Sequence, residues 1–325
     1  MMAQLSHRQR KGAGSASARR LNPDGTYVHP LGANRSGVIA PWFFVTIPIL
    51  WILIFSLLPF LNTIRLSFTD STLLRPGKFI GFQNFVDMFH DPHFITAMTN
   101  SSLYVVCVVP FMIILPLILA ALVADRTRIM GFFRTSFYIP VIMSSVVVGL
   151  IWTNLLDSKG LVNGMFRALH WITKPIPFLT DRWLLLFSAM TITIWTGLGY
   201  YMIIYLTTIA NIDPVLYEAA QIDGAGAVRQ FIHVTLPGCT WTMILISLLS
   251  SMSAFRVFGE IYMLTNGSGG VGGADITMTM LIKNEGTGIN ARTGYAGALG
   301  LVMFFVLGAL ILFEWFLESR SSDDE

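Results

Sequence analysis

Apolar residues gather along this chain in six stretches, each close to the roughly 20 residues that a helix needs to cross a bilayer. They run over Val38–Leu61, Ser101–Ala124, Ser136–Leu156, Trp183–Ile209, Cys239–Leu264 and Gly294–Leu317. The pattern predicts an all-α integral membrane protein with six transmembrane helices. Prolines punctuate the first three stretches: Pro41, Pro48 and Pro59, then Pro110 and Pro116, then Pro140. A proline inside a span kinks the helix and frees backbone carbonyls, which neighbouring helices or cavity water must satisfy. Simple bending and a bundle that opens and closes both fit that pattern.

The composition agrees. Of 325 residues, 54% are hydrophobic and only 12% are charged, against about 25% charged in a soluble domain. The net charge is +3, but basic residues crowd the start of the chain at Arg8, Arg10, Lys11, Arg19, Arg20 and Arg35. Beside a membrane span such a tail reads as a topology signal or a contact with anionic membrane lipid, not as a nucleic-acid site. Residues 1–37 are too polar for a signal peptide's apolar segment. They read as a disordered basic cytoplasmic tail, 38–318 as the membrane domain, and 319–325, ending Asp323-Asp324-Glu325, as an acidic tail. Cys107 and Cys239 show no CxxC or Cys/His spacing, so neither a zinc site nor a disulfide framework is indicated.

Six spans place both termini on one side. With the tail inside, the segment Asp125–Thr135 and its Arg126, Arg128 and Arg134 is also inside. The bias is weak over the whole chain, since the outer loops hold basic residues such as Arg65, Lys78, Arg167 and Arg292, but short loops count most. The outer loops are then Arg65–Asn100, Asp157–Arg182 and Thr265–Thr293. The first contains FIGFQNFVDMFHDPHF, read as a short amphipathic segment broken by an Asp-Pro pair. The third is centred on GSGGVGGAD, read as a flexible loop because no Gly-Lys-Ser/Thr follows to make a phosphate cradle. His90 and His93 flank Pro92 without a third partner, which suits a helix-ending turn better than a metal site.

The remaining inner segment, EAAQIDGAGAVRQFIHVTLPG from Glu218 to Gly238, carries the most specific sequence. Asp213 before Pro214 is a helix N-cap followed by proline at the first helical position. A short helix through Glu218, Ala219 and Ala220 can end after Asp223 at Gly224, since glycine tolerates the left-handed conformation. A second helical segment is expected over Ala225–Thr235, stopped by Pro237, with Leu236 pushed towards an extended conformation. The result is a helix-turn-helix elbow with small alanines and apolar side chains at Val215, Leu216 and Ile222. Helix connections usually take about 2–8 residues. This one is far longer, which favours a docking surface for another protein.

The elbow also resembles the signature of the membrane subunits of binding-protein-dependent ABC importers. That signature reads Glu-Ala-Ala, three residues, Gly, nine residues, Ile, one residue, Leu-Pro; Glu218, Ala219, Ala220, Gly224, Leu236 and Pro237 match it, with Val234 in place of Ile. Gly81-Phe82-Gln83-Asn84-Phe85, Leu264-Thr265-Asn266-Gly267 and Gly294-Tyr295-Ala296-Gly297-Ala298 resemble further elements of the carbohydrate-uptake branch. A proline is missing after Thr265, and Lys283–Ile289 lacks the branch's aromatic residues. The resemblance implies a non-catalytic permease subunit in a bacterial or archaeal cytoplasmic membrane, both termini cytoplasmic. It implies a second permease subunit, two cytoplasmic ATPase subunits that bind ATP-Mg, and an extracytoplasmic solute-binding protein. This chain itself would hold no cofactor. Glu218, Ala219, Ala220, Asp223, Gly224, Leu236 and Pro237 would couple it to the ATPase.

Candidates for the solute path are few. Arg256 and Glu260 lie within the fifth stretch, where a charge costs about 2.5–3.5 kcal/mol on insertion scales. Four residues apart on one helix, they would form an intrahelical ion pair or a polar patch lining the path. Trp195, Tyr200 and Tyr201 could stack on sugar faces or pack between helices. A stand-alone ion-coupled secondary transporter, with Arg256 and Glu260 as coupling element, is the alternative reading. It calls for inverted repeats and buried acids near the midplane, which the sequence does not display.

Overall fold

The structure is a computed structural model that describes residues 36–125 and 127–322. The basic tail up to residue 35, Arg126 and residues 323–325 lie outside the described residues. Helices α1 (Ser36–Ile52) and α2 (Leu58–Ser67) flank a π-helical turn, Leu53–Leu57. The short α3 (Gln83–His90) leads into α4 (Pro92–Leu122), and α5 (Arg128–Ile142), α6 (Ser145–Leu156), α7 (Leu161–Ala168) and α8 (Arg182–Ile209) follow. The elbow comprises α9 (Pro214–Ile222), α10 (Ala227–Gln230), a second π-helical turn at Phe231–Thr235, and α11 (Leu236–Gly238). The chain ends with α12 (Thr240–Phe255), α13 (Gly259–Leu264), α14 (Met278–Gly286) and α15 (Thr293–Ser322). Among the described residues six helical segments are long and apolar enough to cross a membrane, so the all-α, six-span class predicted from the pattern is the one observed. Among the described residues the only β feature is an isolated bridge between Thr69 and Phe79.

Two compact units divide between Phe60 and Leu61. The first contains α1 and its π-helical turn, with outward apolar side chains such as Trp51 and Phe55. The second contains the core. There α4 packs on α8 and α12, and Tyr104, Tyr205, Met202 and Ile246 are fully buried. Buried tyrosine hydroxyls need partners. Tyr104 Oη bonds Thr193 Oγ1 at 2.8 Å, and Tyr205 Oη donates to the Ile113 carbonyl at 3.0 Å, so both tie α4 to α8. Gly199 lets α8 approach α5: a Cβ there would run into the Phe137 carbonyl.

Several boundaries differ from the apolar pattern, each for a local reason. The second span begins at Pro92, not near Ser101. The Asp-Pro pair does break the segment as expected, ending α3 at His90, and it also launches the next helix, because Asp91 accepts from the His93 amide at 2.9 Å and Pro92 takes the first helical position. The third span is not one helix from Ser136. It starts at Arg128, breaks at Met143 and Ser144, whose backbones are extended, and resumes as α6. The loop before it is correspondingly short. Its Arg134 sits within α5 and donates to the carbonyls of Val123, Ala124 and Asp125 at 2.6–2.8 Å, closing the C-terminal end of α4.

Pro237 does not stop the elbow's second helix, and Leu236 is helical (φ −61°, ψ −51°) instead of extended. The π-helical turn just before them, closed by the Leu236 amide on the Phe231 carbonyl, widens the helix where proline lacks its donor. The same solution appears at Leu58-Pro59, where the Leu58 amide bonds the Leu53 carbonyl.

The sequence elements near the ends of α2 and α15 converge on one junction. Asn84, buried, donates to the carbonyls of Ser67 and Thr69 at 2.8 and 2.9 Å. Tyr295 donates to Asp91 at 2.8 Å, and a side chain at Gly294 would strike the Thr69 carbonyl. These residues tie the end of α2 to α3 and the starts of α4 and α15.

The glycine segment after α13 is pinned, in contrast to the flexible loop expected. Asn100 donates to the carbonyls of Ala274 and Ile276, both at 2.9 Å, and Ser101 accepts the Met278 amide at 3.0 Å. The enclosed Asp275 has one carboxylate oxygen without a partner. Burial pushes its carboxyl up to about 6; Arg182 opposes this and Asp181 adds to it. An unfolded carboxyl titrates near 3.8. Between those values the folded chain keeps a proton that the unfolded chain has lost, so stability falls as pH rises through the window. Asp275→Asn should therefore match the parent near pH 4 and melt at a higher temperature above about pH 6, by thermal unfolding in detergent. Identical pH profiles would contradict this.

Candidate functional site

Two features outside the ordinary helix packing stand out: a cavity between interrupted helices, and the elbow. The cavity sits where both helix breaks meet. α12 ends at Phe255, and Phe258 (φ −144°, ψ −53°) is not helical before α13 begins at Gly259. Backbone freed inside a membrane must find partners or face a cavity. Here α14 and the residue before it supply them: Thr277 Oγ1 donates to the Val257 carbonyl at 2.9 Å and Thr279 Oγ1 to the Arg256 carbonyl at 3.2 Å. The α5–α6 break lies opposite, and α6 packs on α13 so closely that a Cβ at Gly149 would collide with Met263.

Between them is a cavity of about 470 Å³. Its walls come from α4, α5, α6, α8, α12 and α13. Apolar side chains such as Val108, Met112 and Ile192 form much of the lining, and Ser145, Thr193, Thr196, Ser253 and Glu260 add polar groups. Tyr200 and Tyr201 both line it, their rings edge-on at 5.1 Å. Trp195 does not; it packs against Trp152 at 5.6 Å. Nor does Arg256. The helix break separates it from Glu260, so the two are not one turn apart on a single helix face, and no ion pair joins them. Arg256 is exposed and Glu260 half-buried. The hydroxyl residues of the wall escape a search for charges and aromatics. Their signal is a spacing of three within apolar stretches, Thr193 with Thr196 and Ser250 with Ser253.

The elbow is built as its residues dictate. Asp213 caps α9 by accepting from the Val215 amide at 2.9 Å. At the other end Gly224 is left-handed (φ +75°). The Gly224 amide bonds the Gln221 carbonyl at 3.0 Å and the Ala225 amide the Ala220 carbonyl at 2.9 Å, a complete Schellman cap. Tyr217 to Thr235 at 2.9 Å and Gln230 to the Ala225 carbonyl at 2.8 Å close the elbow on itself. Glu218, Ala219, Asp223, Gly224 and Pro237 are exposed; Ala220 and Leu236 are half-buried. Val215, Leu216, Ile222 and Val228 present an exposed apolar surface, with Ile222 86% accessible.

Interrupted membrane helices around a cavity, together with a capped elbow that presents apolar side chains, fit a membrane transport protein. The chain belongs to the family described as binding-protein-dependent transport system inner membrane component, which matches residues 103–317. It is 33% identical to the probable ABC transporter permease protein YurN of Bacillus subtilis, covering 86% of this chain and 96% of the relative. It is 32% identical to the lactose transport system permease protein LacF of Rhizobium radiobacter, over 85% and 92% of the two chains. A chain of a bacterial alginate ABC transporter, solved with an alginate pentasaccharide-bound periplasmic protein, superposes with a TM-score of 0.74 at 26% identity, covering 88% and 95%. The protein is a membrane-spanning permease subunit of an ABC importer. The ion-coupled alternative has no support among these relatives.

Thr277→Val keeps the side chain's shape and removes the donor to Val257. Stranding that buried carbonyl at the break should cost about 1–3 kcal/mol. The expected result is a lowered melting temperature of the purified protein, largely restored in Thr277→Ser.

Proposed function

We propose that this chain forms half of the pathway of a carbohydrate importer and is driven through its elbow. The observation that carries the coupling role is the elbow's construction: a short helix capped at both ends, bonded to its own return strand of helix, with apolar side chains facing outward. A helix made rigid in this way can transmit a push. The exposed apolar side chains suit a groove on another protein. On this reading Glu218, Ala219, Ala220, Asp223, Gly224, Leu236 and Pro237 face a cytoplasmic ATPase. Two ATPase subunits bind and hydrolyse ATP-Mg, a second permease subunit completes the pathway, and an extracytoplasmic binding protein delivers solute. Both termini are cytoplasmic, and the membrane is that of a bacterial or archaeal cell.

The carbohydrate reading has two supports. Among the relatives are permeases named for lactose and arabinooligosaccharides. The cavity also offers what a sugar needs, hydroxyl groups for its hydroxyls and the ring of Tyr200 or Tyr201 for its apolar face. Trp195 and Arg256, away from the lining, are given no contact with solute.

Gly224→Asp tests the coupling role. No atom crowds the site, so the cost is local to the left-handed turn, and the membrane domain should assemble normally. The expected outcome is a permease that still reaches the membrane but loses at least tenfold in transport of the host's solute, with ATPase activity no longer stimulated by the loaded binding protein. Transport and stimulation at parental levels would show that the elbow is not the coupling element.

A further inference from the structure

One acidic group lines the cavity, and no cation in the lining answers it. Glu260 stands in the first turn of α13, just past the helix break, and is half-buried on the cavity wall. Among the described residues the lining contains no lysine, arginine or histidine. Its other polar members are neutral hydroxyls, such as Thr193, Thr196, Ser250 and Ser253. The nearest cation along the chain, Arg256, is exposed and is not part of the lining. Among the described residues Glu260 has no ion-pair partner.

A carboxylate inside a low-dielectric wall acts on a solute in two ways. It accepts hydrogen bonds strongly from hydroxyl donors, and such charge-assisted bonds are roughly twice as strong as neutral ones. It also repels another anion far more strongly than it would in water, because the walls around it screen poorly. A solute lined up against Thr193 and Ser253 therefore gains from carrying hydroxyls and loses from carrying a carboxylate.

We propose that Glu260 is a charge filter in this half of the pathway: it admits uncharged or cationic polyhydroxylated solutes and turns away acidic ones. The proposal deepens the carbohydrate reading and rests on it for the nature of the solute. The importer of the structural neighbour handles the acidic polysaccharide alginate, the kind of solute that such a filter would turn away. Tyr200 and Tyr201 favour a sugar of either charge; Glu260 selects between them.

The test reads the field in the cavity without needing the solute. Ser253→Cys places a thiol on the lining, in the full importer complex in membranes. Native Cys107 and Cys239 are the background, measured in the parent. Two methanethiosulfonate reagents of similar size are compared, one carrying a quaternary ammonium and one a sulfonate, with and without ATP. With Glu260 in place the cationic reagent should react at least tenfold faster than the anionic one, after correction for their rates on free thiol. In Ser253→Cys with Glu260→Gln the ratio should fall towards one. Equal rates in both backgrounds would overturn the proposal. So would protection of the introduced thiol from both reagents in both nucleotide states, because a cavity that small solutes cannot enter filters nothing. Failure of the carbohydrate reading shows separately. In that case the charge ratio persists while the assembled importer, supplied with its binding protein, takes up no neutral sugar from a panel including lactose and arabinotriose.

Discussion

The constraint on which the rest of this structure depends is that backbone polar groups cannot be left unpaired inside a membrane. An uninterrupted helix meets it automatically. This chain interrupts its helices twice in the cavity wall, at Met143–Ser144 and at Arg256–Phe258. The second break survives because Thr277 and Thr279 reach back to the carbonyls of Val257 and Arg256. Those threonines can reach only because the glycine segment before α14 is held against α4 by Asn100 and Ser101. A loop that looks like slack in the sequence is thus the brace for the cavity wall. The brace also explains why so many glycines fall there: Gly267, Gly269, Gly270, Gly272 and Gly273 all have positive φ, a conformation that other residues adopt at a cost.

The same accounting governs the prolines. Proline removes a donor and crowds the preceding turn. Read from the sequence, Leu236-Pro237 is a stop, and the apolar pattern offers nothing to contradict that. The structure instead inserts a π-helical turn ahead of it, as it does ahead of Leu58-Pro59. The helix therefore continues from the elbow through α11 towards α12. Sequence rules treat each residue through its own preference and its immediate neighbour's. A π-helical turn is a property of five residues acting together, so it leaves no single-residue mark.

What was legible in the chain follows the same division. The number of spans, the Asp213 and Gly224 caps and the amphipathic α3 follow from periodicity and from individual side-chain chemistry, and all are in place. The interruption between α12 and α13 was not legible. Arg256-Val257-Phe258-Gly259 carries no proline, and its break is stabilised by threonines some 20 residues on in sequence. The consequence for the site is direct. Treating the fifth span as one helix pairs Arg256 with Glu260; with the break in place, Glu260 joins the cavity and Arg256 stays outside it. The aromatic candidates divide for a related reason. Trp195, Tyr200 and Tyr201 share α8, but Trp195 is already packed on Trp152, whereas the tyrosines line open space. Which face of a helix meets a cavity is decided by what the neighbouring helices place there.

The two features described as separate sites share one element. α12 begins just after the elbow and ends at the break beside the cavity, and at about 1.5 Å per residue its 16 residues form a rod on the order of 24 Å long. At the elbow end this rod is tied to α8 and to the chain that carries α9. Tyr217 bonds Thr235, Thr208 bonds Thr242 at 2.7 Å, and Gly238 lies so near Ile212 that a methyl group there would force them apart. At the cavity end Ser250, Ser253 and Ala254 are lining residues. Near that same end, Ser251 donates to Glu314 of α15 at 2.5 Å, so α15 accompanies the cavity end of the rod. On the proposed reading, a push on α9 need not pass through a diffuse network. It displaces a stiff helix whose far end carries part of the cavity wall, and the interruption at Arg256–Phe258 lets that wall move while α13 remains packed against α6. On that reading, an unbroken fifth span would carry the same push past the cavity and into the segment between α13 and α14. On the proposed reading, the break, costly as it is in hydrocarbon, confines that movement to the cavity wall.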